Sequence, residues 1–442
     1  MKKFIEIIII PIVLLGFTLG FGKNANATVE PFVNPPINLS WLVLDSLDYN
    51  TNSLPIIRIK RWDDLKKKMQ SDNKRYIIKY RYNLRGDTIR LGRNCCIDFE
   101  GGQISNGVII GDKTIIKYSN KPVFKSIQIQ GSWRVPTIKT GMFADAYNEN
   151  VLIQLFNLTN ESLVNRVIIE HGNYLVSAII DNDGILRPKS NTEVIFNGNI
   201  VLSPNKYQHY QIMSIYGAEN LYIHGEGRIE GDLYNHYYDE EKGTHEWGHG
   251  LTIRGCKNVL VEGITLKNCI GDACSVGAQA PGDLEKGAPT GKPSINIEFK
   301  KCKFESSRRQ GLTITFASFI TVDSCSFNGI YQTYKGTAPG AAIDIEPDDN
   351  GSKFFERGSE VYHILIKNST FTNCRQGVAS WKSSSKDDSR CYKDVQIENC
   401  VFSNIDFFCC NITGFDNVLI RNNIVTQSKN KYIFTRCINV DN

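Results

Sequence analysis

The chain has 442 residues, 13 cysteines and a formal net charge of +5. So small an excess of positive charge, with no basic block, excludes the usual footprint of a nucleic-acid binder and is compatible with an acidic polysaccharide. Beyond residue 21 no apolar run is long enough to span a bilayer.

The first predicted element is a leader. Lys2 and Lys3 precede an apolar run from Phe4 to Phe21, and Ala25-Asn26-Ala27 follows. This is the plan of a secretory signal peptide over residues 1–27, cleaved after Ala27. The protein is therefore expected to be exported, periplasmic or secreted. Glu6 and Pro11 depart from the plan, and an uncleaved N-terminal anchor is the alternative. With no cysteine near the cleavage site, a lipid anchor is not expected.

Residues 28–80 read as a cap segment. Within them, Trp62, Leu65 and Met69 give residues 61–72 the spacing of a short amphipathic helix. Such a helix would cover the open end of a stack of strands, which otherwise exposes an edge. From residue 87 onward short alternating segments take over, including 87–111 and the run up to Asp232.

Internal repetition then sets the architecture. "NVLVEGITL" from Asn258, "NIEFKKCKF" from Asn296, "FITVDSCSF" from Phe319, "YHILIKNSTF" from Tyr362, "DVQIENCVF" from Asp394 and "NVLIRNNIV" from Asn417 share one pattern. Phe304, Phe327, Phe371 and Phe402 fall in one column, with Cys302, Cys325, Ser369 and Cys400 two residues earlier. The period is about 23 residues plus insertions, without helices between the strands, which predicts a β-solenoid. Residues 81–442 are read as one such domain. The cysteines follow this repeat and their number is odd, so they are expected to be small buried hydrophobes rather than disulfides. Cys95-Cys96 and Cys409-Cys410 match no metal spacing, and no metal is assigned.

Each coil carries a second strand. "HGLTIR" (249–254), "DACSVG" (272–277), "QGLTIT" (310–315), "AAIDIE" (341–346) and "QGVASW" (376–381) align with their third and fifth residues inward and their fourth and sixth outward. Asp344 and Glu346 are then expected to be exposed neighbours on one face, about 6.5–7 Å apart. Insertions at 278–294, 347–361 and 382–393 follow this strand, and another at 328–340 precedes it. Long loops on one flank of a rod predict the walls of a groove.

"GEGRIEGD" (225–232), "WGHGLTIRG" (247–255) and "NVLVEGITLKNCIGDACSVG" (258–277) resemble right-handed parallel β-helix proteins of the pectin-lyase-like superfamily. The local flavour is that of the polygalacturonase group, glycoside hydrolase family 28. The resemblance implies an all-β, single-stranded right-handed parallel β-helix, here with a short N-terminal capping helix, and a carbohydrate context. Gly271-Asp272 resembles the group's Gly-Asp-Asp segment, but Ala273 replaces the second Asp. Gly248-His249-Gly250 matches its Gly-His-Gly motif in type, one coil early. Its Asn-Thr-Asp and Arg-Ile-Lys motifs are absent from the expected places, so its catalytic set is not carried over intact.

Hydrolysis of a glycosidic bond needs one carboxylic acid to protonate the leaving oxygen and a second carboxylate to activate water or attack. Asp344 and Glu346 are the expected pair, with Asp272 assisting from two coils back, about 10 Å along the axis. His249, Arg308, Arg309, Arg375, Trp381 and Lys382 are the expected substrate contacts. Arginine forks suit carboxylates and vicinal hydroxyls, and Trp381 offers a face for a sugar ring. The expectation is a monomeric glycosidase acting on a polysaccharide or oligosaccharide without a cofactor. A lyase or uronate epimerase using Arg and Lys is the alternative. Ca²⁺ could serve such an enzyme, or be held by these acids with Asp348 and Asp349. A non-catalytic glycan-binding solenoid is a third reading.

Overall fold

The computed structural model describes residues 29–42, 51–145, 147–159, 165–178, 186–239, 243–279, 292–331, 336–347, 360–380, 392–435 and 438–441. The leader read at 1–27, Trp381, Lys382, Asp348 and Asp349 lie outside them. Among the described residues no helix is long and apolar enough to cross a membrane.

Three long sheets contain 11, 9 and 8 strands; from residue 209 onward each takes every third strand of the chain, and successive members pair in parallel. A chain that visits three sheets per turn and returns one rung higher is a parallel β-helix. A further 7-stranded sheet, from Ile56–Arg58 to Phe124–Arg134, stacks the N-terminal part. The helix expected over 61–72 is a single turn, α1 (Leu65–Lys68), whose N-cap Asp64 accepts from the Lys66 amide. Leu65 and Met69 are buried as the spacing predicts, but Trp62 stands outside the turn, 82% exposed. A second helix that the sequence reading missed, α2 (Glu149–Asn157), buries Val151, Leu152, Leu155 and Phe156.

Like residues stack along the rod because each rung repeats the last. Phe304, Phe327, Phe371 and Phe402 pair in register. Their rings lie parallel at centroid spacings of 4.5, 5.0 and 4.6 Å. The predicted phenylalanine column is therefore a core ladder. The eleven cysteines among the described residues are all buried and unpaired, as the repeat suggested.

Corners need a left-handed residue, which asparagine tolerates better than other side-chain-bearing residues. Asn191, Asn220, Asn258 and Asn296 take this conformation in one column, and their side-chain amides bond successive rungs at 3.0, 3.2 and 3.0 Å. On the outer face of the 11-stranded sheet, His224, Glu262, Lys300, Asp323, Lys367, Glu398 and Arg421 stand in register. From Glu262 onward the charges alternate along this row, with contacts such as Lys367–Asp323 at 3.4 Å and Arg421–Glu398 at 2.7 Å.

The first described segment, residues 29–42, meets rungs far along the chain through Phe32 and Asn34. Asn34 is buried there, its Nδ2 donating to Ile320 O, Thr321 Oγ1 and His363 O at 3.0, 3.0 and 3.1 Å. The Phe32 amide donates to Gln396 Oε1 at 3.0 Å.

Candidate active site

The 8-stranded sheet carries the site. Its strands are β1 (His209–Tyr216), β2 (Trp247–Arg254), β3 (Cys274–Gly277), β4 (Leu312–Ile314), β5 (Ala341–Ile345), β6 (Gln376–Ser380), β7 (Phe408–Thr413) and β8 (Asn430–Thr435). Their register aligns Leu251, Cys274, Leu312, Ile343 and Val378, all fully buried, as the alternation predicts. The outward column beside them reads Ser214, Thr252, Ser275, Thr313, Asp344, Ala379 and Asn411. Asp344 thus replaces a hydroxyl in a row of small polar groups.

The expectation that Asp344 is exposed is corrected: it is 1% exposed. Pointing away from the barrel is not the same as reaching solvent. Gln310 Nε2 donates to Asp344 Oδ2 at 2.7 Å. Burial, then the nearby charge of Glu346, raises the Asp344 carboxyl well above the ordinary range, against the opposing pull of Arg309 and Gln310. Glu346 keeps the exposure expected of it, with 35% of its side chain accessible.

Arg309 ties the acids together. Its Nη1 donates to Asp272 Oδ1 and Oδ2 at 3.1 and 3.2 Å. Its Nη2 lies 3.6 Å from Glu346, and its Nε lies 3.7 Å from Glu246. Burial works against this charge, but Asp272, Glu346 and Asp344 outweigh it and raise the guanidinium's affinity for its proton. Bridging Asp272 and Glu346 through one guanidinium keeps the two within the roughly 9.5 Å upper limit of glycosidase carboxyl pairs. The Thr313 hydroxyl sits 2.8 Å from Asp272 Oδ2 and 2.6 Å from Gln310 Oε1, linking Asp272 to the Gln310–Asp344 pair. Asp272, expected two coils away from Asp344, is therefore joined to it through side chains of the intervening rung.

His249 borders this cluster. Its Nδ1 accepts from the Asp272 amide at 3.1 Å and lies 3.7 Å from Asp272 Oδ2. Burial pushes the imidazole down to about 4, so at neutral pH it is an uncharged acceptor. Arg308, expected to touch substrate, instead turns inward. It donates to His245 O at 2.9 Å and Thr244 O at 2.8 Å and stacks over Tyr238. Arg375 stacks over the Tyr331 ring at 4.6 Å rather than beside Asp272. Adjacent arginines on a corner point to opposite sides of it, so Arg309 alone of these three enters the acid cluster.

Glu246, Trp247, Gln310 and Thr313 were missed in the sequence. Trp247 lies beneath the Arg309 guanidinium at 5.7 Å and stacks on His209 at 6.0 Å. The "WGHG" motif was visible, but only three-dimensional register shows that an arginine two rungs away reaches back to it. Gly277 has a local role: a Cβ there would collide with Arg254 Nη1 and Thr315 Oγ1, so its absence lets Arg254 lie across the sheet and donate to Ser275.

No family model matches the chain. Over 262 residues it is 30% identical to the SPbeta prophage-derived uncharacterized protein YorA of Bacillus subtilis (strain 168), covering 55% of this chain and 43% of that protein. The chain thus spans less than half the length of this curated relative. Among solved structures it is similar to a polygalacturonase from Erwinia carotovora, with 9% identity, 94% and 100% of the two chains covered and a TM-score of 0.32. It is also similar to the surface protein and adhesin PfbA of Streptococcus pneumoniae, with 11% identity, 84% and 91% covered and a TM-score of 0.36.

Proposed function

We propose that the protein is an exported glycoside hydrolase acting on a polysaccharide or oligosaccharide. The observation that carries this reading is the meeting of Asp272 and Glu346 on Arg309, with Asp344 held against Gln310, the next residue, and its carboxyl raised well above the ordinary range by burial. A buried carboxyl raised above the ordinary range beside one open to solvent is the difference in environment that acid and base roles require. Asp344 is assigned as general acid; being 1% exposed, its carboxyl must be uncovered as substrate binds before it can donate to the leaving glycosidic oxygen. Glu346, the most accessible of the three, is assigned as the base that activates water. Asp272 fixes Arg309, and Arg309 in turn orients Glu346.

Elimination from a uronate would need a cation to neutralise the sugar carboxylate. Arg309 is already engaged by Asp272, Glu346 and Glu246, which favours hydrolysis over the lyase reading. The test is digestion of a panel of plant, algal and host glycans, with and without EDTA, read by reducing ends and by the ultraviolet absorbance of unsaturated uronates. New reducing ends without absorbance, abolished by Asp344→Asn, are expected. Absorbance that disappears in EDTA would replace the hydrolase with a metal-assisted lyase.

A further inference from the structure

On the N-terminal side of the acids a loop joins the strand Arg228–Glu230 to β2. Its interior is an unusual investment of polar groups. Asp232 Oδ1 accepts from Tyr210 OH at 2.7 Å. Asp232 Oδ2 accepts from the Asn205 amide and side chain at 3.0 and 2.9 Å, and contacts His236 Nδ1 at 2.8 Å. His236 Nε2 then meets His245 Nδ1 at 2.8 Å. Behind this chain Arg308 holds the carbonyls of Thr244 and His245 and packs on Tyr238. Buried polar groups satisfied so completely fix one conformation of the backbone around them.

The outer side of the same region carries aromatics. Tyr234 is 60% exposed, Tyr237 66%, Trp247 48% and Tyr207 36%. Three of them are tied together through the backbone: Asn205 O accepts from the Tyr237 amide at 2.9 Å, Asn205 Oδ1 from the Tyr207 amide at 2.9 Å, and Gln208 O from the Trp247 amide at 3.2 Å. Tyr234 stands three residues before Tyr237 on the same loop. Trp247 reaches Arg309 at the other end, so the surface is continuous with the acid cluster. Rigid rings that keep a third or more of their surface in water beside a carboxylate site suit the flat apolar faces of pyranose units.

We propose that Tyr207, Tyr234, Tyr237 and Trp247 form a preorganised shelf that binds a polysaccharide strand by its ring faces rather than its charge, leading that strand into the acid cluster. The proposal rests on the hydrolase reading for the destination of the strand but not for the binding itself. It makes long chains the substrate class.

The test is affinity electrophoresis of the whole protein through gels containing β-glucan, xylan, starch, polygalacturonate or alginate. The protein should be retarded by at least one glycan. Roughly tenfold weaker retardation is expected for the Tyr234→Ala/Tyr237→Ala double variant, with an unchanged melt because both side chains face solvent. Retardation should persist in about 0.5 M salt, where charge-driven binding is screened. His236→Gln should weaken binding while speeding amide exchange at residues 243–247. Equal retardation of wild type and tyrosine variant, loss of retardation in salt, or no retardation by any glycan would overturn the shelf. Reducing-end release with unaltered binding in the tyrosine variant would overturn the shelf and leave the hydrolase. Tyrosine-dependent binding without reducing ends in any digest would support the shelf and remove the hydrolase.

Discussion

At Asp344 a carboxyl group sits where burial and Glu346 both favour its proton. A carboxyl whose folded pKa lies above its unfolded value binds more protons when folded, so its contribution to stability is full below the ordinary aspartate range and is lost as pH rises through the raised value. Asp344→Asn removes that penalty while preserving an acceptor for Gln310. The variant should melt higher than wild type at neutral pH and match it near pH 3 (about one unit below an ordinary aspartate), in paired calorimetric scans. Its loss of activity would then be chemical rather than structural. In the wild type, activity should fall on the alkaline side as this acid ionises, a limb to be read from kcat/KM against pH.

His249 runs the other way. Its folded value of about 4 lies below the ordinary 6.5, so stability is full above the ordinary value and is lost as pH falls toward the depressed one. In denaturant titrations from pH 7 down to about 4, His249→Gln should flatten this slope; an unchanged slope would place the acid sensitivity elsewhere. Much of this chemistry was legible as residue types: Asp272, Asp344, Glu346, Arg309 and His249 all fall in or beside the cluster. What the letters did not carry was enclosure. A strand alternation distinguishes barrel interior from exterior, but not a covered exterior from one open to water.

Among the elements, stacked columns do most of the organising. The phenylalanine ladder was legible because the same aromatic recurs at one strand position, and its rings meet at van der Waals spacing. Phe327→Ala cuts the middle of that ladder and should cost about 3–5 kcal/mol, measured by denaturant unfolding. The alternating charge row was equally present in the sequence but invisible without register, since its members lie 23 to 44 positions apart. Lys367→Glu would set three acids in succession, from Asp323 to Glu398. Loss of the cross-strand attraction should cost about 1 kcal/mol, less in high salt, as a melting series with and without added salt would show. Helix α2 went unread because nine residues with apolar side chains at 151, 152, 153, 155 and 156 serve a strand pattern nearly as well as a helix. Its Asn148 cap, accepting from the Val151 amide, was the available signal.

At the scale of the whole molecule, rungs touch mainly their nearest neighbours, as in any solenoid. The longest-range exception among the described residues is the segment 29–42. In the corner column Phe319 and His363 take the left-handed conformation that asparagines hold on earlier rungs, and the amide ladder lapses there. Asn34 supplies an amide at that gap, and Phe32 packs on His363 at 5.1 Å. Asn34→Ala leaves the Ile320 and His363 carbonyls without this donor and should cost about 1–3 kcal/mol. Hydrogen exchange is expected to quicken between residues 317 and 398 while the rungs before residue 270 stay protected.

That clasp also has a direction in time. A ribosome makes Phe32 and Asn34 hundreds of residues before it makes Ile320, His363 and Gln396, the groups that receive them. During synthesis the earliest of the described segments has no seat, while rungs can stack one upon another behind it. Its docking is therefore a final act, possible only once rungs far down the chain exist. A truncated product ending before those rungs would leave this segment unsatisfied, so the clasp separates finished molecules from unfinished ones.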